Sequence, residues 1–468
     1  MRILYYNWAR YDCNNGGGVT VYQRNLINFL AARGEADVVF LSAGDVYSPF
    51  SGVPFIRRAP GSGSCRSYEL VNSPVAAPAA LLHNDLHSYM DTDNPGILDM
   101  VAGFIRGQGG FDVLHFNNLE GLPLNILKLK EYFPRMKIVF SLHNYFLFCP
   151  QVQLFQHQAG KSCDDYAGGK ICLSCRYKEI TPALMLDKLR RYFAEGSAWP
   201  TVLRPWLTIQ ARRLTEKILS VGKQKNQARD FAEFRRLNID YINKYADCVV
   251  AVSNRVAEIA AAMGIDPVRC RVGYIGSDAA EDKPIRRKVP DNKMFSLIFA
   301  GYAKTDKGFY FMCEALCRLD ESLRRRIRIV LAARKMETLD ARRCVERLRA
   351  CFYRVETYDG YRRDELPDLL KDVQLGIVPV LWEDNLPQVA IEFAAHGVPV
   401  LASEMGGASE LSDSPYFRFR GGDYNDFTAK LAYIVRHPQI LNDYWLHHRP
   451  PRTMHEHWAE LSAVYAGA

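Results

Sequence analysis

Residues 374–403 read QLGIVPVLWEDNLPQVAIEFAAHGVPVLAS, and this stretch decides the fold. QLGIVPV (374–380) is a short apolar run, the composition of a strand buried on both faces. A polar loop follows, then a helical pattern opening at about Pro387 and closing at Gly397. Proline suits the first helical turn, where its missing N–H costs nothing, and glycine suits the position past the end. VPVLAS (398–403) is a second apolar strand. Strand, helix and strand in so short a span make the crossover unit of a parallel α/β sheet.

The same alternation extends outward in both directions. RILYYN (2–7), ADVVFLS (36–42), DVLHFN (112–117), KIVFSLH (137–143) and DCVVAVS (247–253) form one series of strands, and FSLIFAG (295–301) and RIRIVLAA (326–333) precede 374–403 in another. One sheet holding them all would carry too many strands, so two doubly wound domains are expected. The polar, aperiodic stretch 278–294 reads as the linker between a first domain over 1–277 and a second over 295–440. Residues 441–468 read as helix, Pro-Pro break, helix, and are expected to cross back to the first domain. Between 149 and 246 the alternation breaks, and this segment reads as an insertion.

Of 468 residues, 48% are hydrophobic and 24% charged, which excludes a disordered or fibrous chain. No run of about 18 uncharged apolar residues exists, so no membrane span is expected. The start, MRILYYNWARYD, lacks the apolar core of a secretory signal. The expectation is a cytoplasmic protein whose twelve cysteines are reduced. The formal charge of +8 is concentrated: residues 176–247 hold 15 Lys/Arg against 8 Asp/Glu, with Tyr192, Trp199 and Trp206 interleaved. That pattern suits peripheral contact with an anionic membrane, and equally the solvated face of packed helices. The bases are mixed with acids and follow no known module, so nucleic acid is not an expected partner.

Two motifs face chemistry. NNGGGVTVYQRNLINFL (14–30) places glycines between a strand and a helix, where backbone can approach a ligand and free N–H groups can meet an anion. It is not GxGxxG, which disfavours an NAD-dependent oxidoreductase. In 381–411, Asp384 precedes a helix and Glu392 lies on its second turn, a spacing that can flank a polyol at the carboxyl edge of a sheet. The amides of Gln388, Val389 and Ala390 would be free for phosphate. A capped helix with solvated acids is the plain alternative.

DNLPQVAIE (384–392), with HGVPVLAS and GGASEL after it, resembles the E-x7-E signature of family 4 glycosyltransferases of the GT-B fold. Other pieces resemble that family in order: GGGVTVY; FDVLHFNN (111–118); SLHNY (141–145); VSNRVAEIAAAMGI (252–265); FAGYAKTDKGF (299–309); and YDGYRRDELPDLLKD (358–372). The resemblance implies two Rossmann-like domains facing across a cleft. It also implies transfer of a sugar from a nucleotide-diphosphate donor, UDP-sugar by default, to an acceptor hydroxyl with retention. No catalytic metal or other cofactor is implied. Glu392 would hold the donor ribose, Asp384 the donor sugar, Lys307 the diphosphate, and His143 would sit beside the reacting sugar. Gly17 and Gly18 would close over the phosphates. His115, Gly301, Tyr361, Asn385, Pro387, Gln388 and Val389 would complete the binding surface. Two departures stand out: the first acid is Asp, and Tyr302 stands where the family has Arg, leaving Lys304 or Arg334 to supply the cation. The Asn/Leu/Pro loop, the cysteine insert and the basic helices resemble bacterial polysaccharide-assembly transferases, which implies a glycan or lipid-linked acceptor at the inner membrane face. A nucleotide-sugar epimerase or hydrolase on the same fold, and a non-catalytic sugar-nucleotide-binding protein, remain open.

Cys149, Cys163, Cys172 and Cys175 are spaced C-x13-C-x8-C-x2-C. Four thiols with a C-x2-C pair can make a tetrahedral structural zinc site. Packed or redox-active thiols are the other reading.

Overall fold

Ile3, Leu4, Tyr5 and Tyr6 are all buried, because the strand Arg2–Tyr6 lies inside its sheet and is covered on both faces. The computed structural model describes residues 1–13, 17–61, 63–84, 86–175, 180–193, 204–221, 226–281 and 294–467. Across the first, eight-stranded sheet the order is Cys270–Val272, Cys248–Ala251, Lys137–Leu142, Val113–Phe116, Arg2–Tyr6, Asp37–Ala43, Arg66–Val71, Phe55–Arg58. Pairing is parallel except at the outer edge, where Phe55–Arg58 runs against Arg66–Val71. The second, six-stranded sheet is parallel and runs Arg354–Tyr358, Ile327–Arg334, Phe295–Tyr302, Leu375–Val378, Val400–Ser403, Arg418–Phe419.

The strand order reverses beside Arg2–Tyr6 in the first sheet and between Phe295–Tyr302 and Leu375–Val378 in the second. A switch point of this kind leaves a crevice at the carboxyl ends of the strands, where open α/β sheets bind ligands. The loops after Tyr6, Tyr302 and Val378 are therefore the ones that can meet a ligand.

The segment 149–246 is not one insertion. Helix Ala228–Tyr245 buries Phe231, Phe234 and Ile242 in the main core and leads into strand Cys248–Ala251, as an ordinary crossover helix does. Helices Pro182–Arg190 and Arg204–Val221 pack on each other over a separate cluster that includes Tyr47, Met185, Leu189 and Leu207. Lys188 is buried there but satisfied, donating to Asp45, Gly44 O and Ala77 O. Tyr192 and Trp206, interleaved with the basic residues, pack around Phe50 at 6.0 and 5.8 Å. Trp199 and most of the linker, 282–293, lie outside the described residues. Among the described residues no helix is long and apolar enough to cross a membrane.

Leu441–Leu446 stays with the second sheet, where Tyr444 packs on Phe417 and its carbonyl accepts from Ser412. Helix Met454–Ala466 packs on the first. Its start is a capping box of Thr453 and Glu456, and its inner face buries Met454, His457, Trp458, Leu461 and Tyr465. Tyr465 shares a 3.0 Å hydrogen bond with Tyr5.

Candidate functional site

A cleft of about 790 Å³ separates the carboxyl edges of the two sheets. The start of helix Gly17–Arg33 forms one wall and the start of helix Gln388–Ala395 the other. A Cβ built on Gly18 would stand 3.5 Å from Gln388 Cγ, so the two helix ends face each other closely. Neither helix has an acid in its first turn, and Pro387 caps nothing with its side chain. Two positive dipole ends aimed at one space make an anion site. Ala390 is not part of it, because its amide donates to Pro387 O at 3.1 Å.

Lys307 follows the strand Phe295–Tyr302 and lines the cleft. Gly308 after it has φ +71°, and a Cβ there would lie 1.7 Å from Pro379 O. Only glycine lets this turn come so near the next strand end, and that approach sets Lys307 beside Asp384. Lys307 Nζ meets Asp384 Oδ2 at 2.5 Å and lies 5.0 Å from the Trp382 ring. Arg334 also lines the cleft, backed by Gly360, whereas Lys304 does not line it; its ammonium lies 5.2 Å from the Tyr302 ring. Of the two cations proposed to replace the missing arginine, the structure brings Arg334 to the site.

Glu392 is buried on the cleft floor and accepts a 2.6 Å hydrogen bond from Tyr361. Burial pushes its carboxyl above the ordinary range, against the Tyr361 hydrogen bond and the Arg363 charge. Gly301, with φ +138° and open space where a side chain would project, leaves the floor clear.

The loop between these acids is tied to the first half. Asn385 Nδ2 donates to Leu142 O at 3.0 Å, and Asn385 O accepts from Ser253 Oγ at 2.9 Å. Glu383 takes the amide of Gly406 at 2.9 Å and pairs with Arg255 at 2.6 Å. Asn385 thus spends its amide nitrogen on the other half, and its Oδ1, buried at the cleft, has no partner in the protein.

His143 stands one residue beyond the strand Lys137–Leu142, half-buried in the cleft wall. Asn117 Nδ2 donates to Tyr6 O at 3.2 Å, which turns Asn117 Oδ1 toward His143 Nε2 at 2.9 Å. An amide oxygen only accepts, so Nε2 carries the proton and Nδ1 the lone pair. Burial, then the nearby His457, pushes the imidazole down to about 3, so it is neutral at physiological pH. Tyr22 packs its ring 4.7 Å from His143 and bonds His457 Nε2 at 2.8 Å, while His457 Nδ1 meets Tyr274 O at 2.9 Å. That carbonyl fixes the His457 tautomer and makes Tyr22 the donor to Nε2.

His115 is not in the cleft. It is fully buried, with Nδ1 on Tyr465 OH at 2.5 Å and Nε2 on Ser141 Oγ at 2.7 Å. Both ring nitrogens are satisfied inside the sheet, so it is a packed histidine.

The four cysteines lie near one another. Yet among the described residues no three His, Cys, Asp or Glu side chains are grouped to hold a metal ion. Cys175 Sγ donates to Phe155 O at 3.5 Å, and Arg235 donates to Cys172 Sγ at 3.5 Å. The expected zinc ligands therefore do not form a ligand set in this arrangement. Arg235, buried with its guanidinium 3.4 Å from the Tyr166 ring centroid and bonded to Phe148 O, ties the loop instead. The loop reaches the second half through Gln153, which donates to Asp306 at 3.0 Å.

Tyr22, Asn117, Trp382, Glu383 and Arg363 are at or beside the site and were not anticipated. Arg363 pairs with Asp278 and reaches Asn25, closing one end of the cleft. Tyr22 carried a legible signal, one helical turn after Gly18. The partners of Glu383 and Arg363 lie far away in sequence and gave none.

Similarity to known proteins now bears on this geometry. The fold is GT-B. Residues 295–437 match the sequence family described as glycosyl transferases group 1. HepE from Anabaena, solved with UDP, is 14% identical over all of both chains with a TM-score of 0.58. Sucrose-phosphate synthase from Thermosynechococcus elongatus is 15% identical over all of this chain and 98% of its own, with a TM-score of 0.60. A glycosyltransferase from Rickettsia africae is 13% identical over all of this chain and 98% of its own, at 0.56. No curated protein matches the chain in sequence.

Proposed function

We propose that the protein is a glycosyltransferase that moves a sugar from a nucleotide-diphosphate donor, UDP-sugar by default, to an acceptor hydroxyl with retention at the anomeric carbon. The observation that carries this reading is the pair of helix starts opposed across the cleft with Lys307 between the sheets. It is supported by the group 1 family match and by UDP in the HepE structure.

The leaving group is a nucleoside diphosphate, and its developing charge needs fixed donors and cations. Lys307, Arg334 and the amides of Gln388 and Val389 supply them, with Gly17 and Gly18 closing from the first half. Lys307 leaves Asp384 as the diphosphate arrives, which frees Asp384 for hydroxyls of the donor sugar. Glu392, steadied by Tyr361 on one side, accepts from the ribose diol. His143, neutral and oriented by Asn117, stands beside the reacting sugar with Nδ1 as an acceptor. Closure of the two walls excludes water and limits donor hydrolysis.

The acceptor is a glycan or lipid-linked intermediate of cell-surface polysaccharide assembly, handled by a cytoplasmic protein at the membrane face. Exposed Ile209, Arg212 and Arg213 on helix Arg204–Val221, with exposed Phe50 against Trp206, support contact with anionic lipid. Flotation with anionic vesicles at low salt tests that part, and absence of binding removes it.

A thermal-shift screen against nucleotides and sugar nucleotides tests the donor assignment, since a ligand of the folded state raises Tm. Stabilisation by UDP and a UDP-sugar, followed by sugar transfer, is expected. Donor consumption without an acceptor points to an epimerase or hydrolase, and tight UDP binding without turnover to a non-catalytic binder.

A further inference from the structure

Outside the cleft, the second half carries four cysteines that the proposed reaction does not use. Cys313 and Cys317 lie four apart on helix Phe309–Cys317; Cys344 and Cys351 lie seven apart on helix Leu339–Cys351. Both spacings put the two sulfurs of a helix on one face. The two helices pack against each other, and an ion pair fixes their register: Glu314, beside Cys313, meets Arg347, between Cys344 and Cys351, at 2.7 Å. In that register Cys313 lies beside Cys344, and Cys317 beside Cys351. All four are free thiols. Cys313 is buried and the other three are half-buried, so small reagents can reach one sulfur of each pair.

We propose that Cys313 with Cys344, and Cys317 with Cys351, are two reactive dithiol sites that take a small-molecule disulfide such as oxidised glutathione and become cross-helix disulfides. The Cys344 sulfur is the attacking group. The neighbouring Cys313 thiol and the Arg347 charge both favour its thiolate, whereas Cys313 itself is held protonated. Cys344 attacks one glutathione sulfur, breaking the S–S bond and releasing glutathione thiolate. Cys313 then loses its proton, attacks Cys344 Sγ and expels the second glutathione thiolate. The two protein thiols are oxidised by two electrons, the glutathione disulfide is reduced by two, and the two protons pass to the glutathione thiolates. Cys317 and Cys351 react by the same exchange. The consequence lies close to the cleft, because Phe309 directly follows Lys307 and Gly308. A bridge would fix the helix that carries this turn to its neighbour. None of this rests on the proposed glycosyl transfer.

The test uses the full, reduced chain. It is incubated with oxidised glutathione, denatured, its remaining thiols alkylated, and digested without reduction for peptide mapping. Expected are cross-linked peptides joining Cys313 to Cys344 and Cys317 to Cys351, each two hydrogens lighter than the paired thiols and each reversed by dithiothreitol. Cys344→Ser should lose the first bridge and keep the second, whereas Cys175→Ser should keep both. Four alkylated thiols after incubation, stable glutathione adducts on Cys344 or Cys351, or bridges to other partners would overturn the proposal. Should Cys344→Ser fail to fold, the map of the unsubstituted chain decides alone.

Discussion

The two walls of the cleft are built alike and charged differently. Each is a helix start at the carboxyl edge of a parallel sheet. The second wall brings Lys307, Arg334, Asp384 and Glu392, whereas the first brings glycines, Tyr22, a neutral His143 and one cation, Arg24, whose guanidinium donates to Tyr11 O and Cys13 O. On the proposed reading, neutralising the diphosphate falls mainly to the second half, and shape and orientation to the first. If so, removing a charge from the second wall should act on turnover, and altering the first wall should act on fit.

The largest effect is expected for Lys307→Ala. With the proposed donor, turnover should fall by about 10²–10³, because one cation on the leaving diphosphate is lost. Steady-state kinetics at saturating donor check this, and near-normal turnover would take Lys307 out of the site. The substitution also leaves the buried Asp384 without its ion-pair partner, so a lower Tm should accompany the kinetic effect, and a melting curve of the variant shows that it is folded when assayed.

Glu392→Gln should weaken UDP binding by about tenfold to a hundredfold, the range for a hydrogen bond to a charged group. Calorimetric titration with UDP measures it. The pH dependence sharpens the test. Because burial raises the Glu392 pKa, its carboxylate is lost at a higher pH than an ordinary Glu would lose it. UDP affinity should therefore decline on the acid side, starting above the usual carboxyl range, and Glu392→Gln should flatten that limb. The folding sign runs the other way. The folded state holds this proton longer than the unfolded chain, so stability from this group falls as pH rises from 4.5 toward the raised value.

Gly18→Val tests the first wall. The Cβ itself would fit beside Gln388 at 3.5 Å, but two further methyls would enter the gap between the helix starts. Donor affinity should drop on the order of tenfold with Tm little changed, since a small misplacement across a closed site is felt strongly. An unchanged UDP affinity would show that the ligand does not pass between these helices.

Much of the second wall was legible because its residues act close to where they stand in the chain. The strand, loop and helix of 374–395 carry Asp384 and Glu392 into the cleft by local geometry alone. The first wall shows where that stops. His115 and His143 both belong to strand ends, yet His115 sits within Val113–Phe116, paired in the ladder, while His143 is one residue past Leu142. Depth along a strand decides between a packed and a presented histidine, and a pattern of apolar residues does not resolve one position. The edge strands Phe55–Arg58 and Arg354–Tyr358 were missed because half-buried strands carry arginine and glutamate and lack a continuous apolar run. For the cysteine loop, four thiols visible in sequence leave a metal site and packed thiols both open, and Arg235, the distant partner of Cys172, carries no signal there. Arg334 stands opposite Tyr302 on the neighbouring strand and lines the cleft, a pairing across strands that the sequence does not display.

The smallest effect concerns how the first wall is held. His457, from the C-terminal helix, receives the Tyr22 hydroxyl on one nitrogen and donates to Tyr274 O with the other. Burial keeps it neutral, down to about 4 against an ordinary 6.5. Below 6.5 the unfolded chain takes up a proton that the folded chain refuses until about 4, so stability falls as pH drops through that window. His143 and His115 act in the same direction. His457→Phe should lower Tm at pH 8 by about 2–4 °C, because Tyr22 OH and Tyr274 O lose their partner. It should also make the acid limb shallower by one group. Melting curves between pH 4 and 8 separate the two contributions: a uniform drop with an unchanged slope would mean that His457 matters only as packing. A drop with a reduced slope would place its neutrality, and hence the orientation of Tyr22 against His143, among the things the fold maintains.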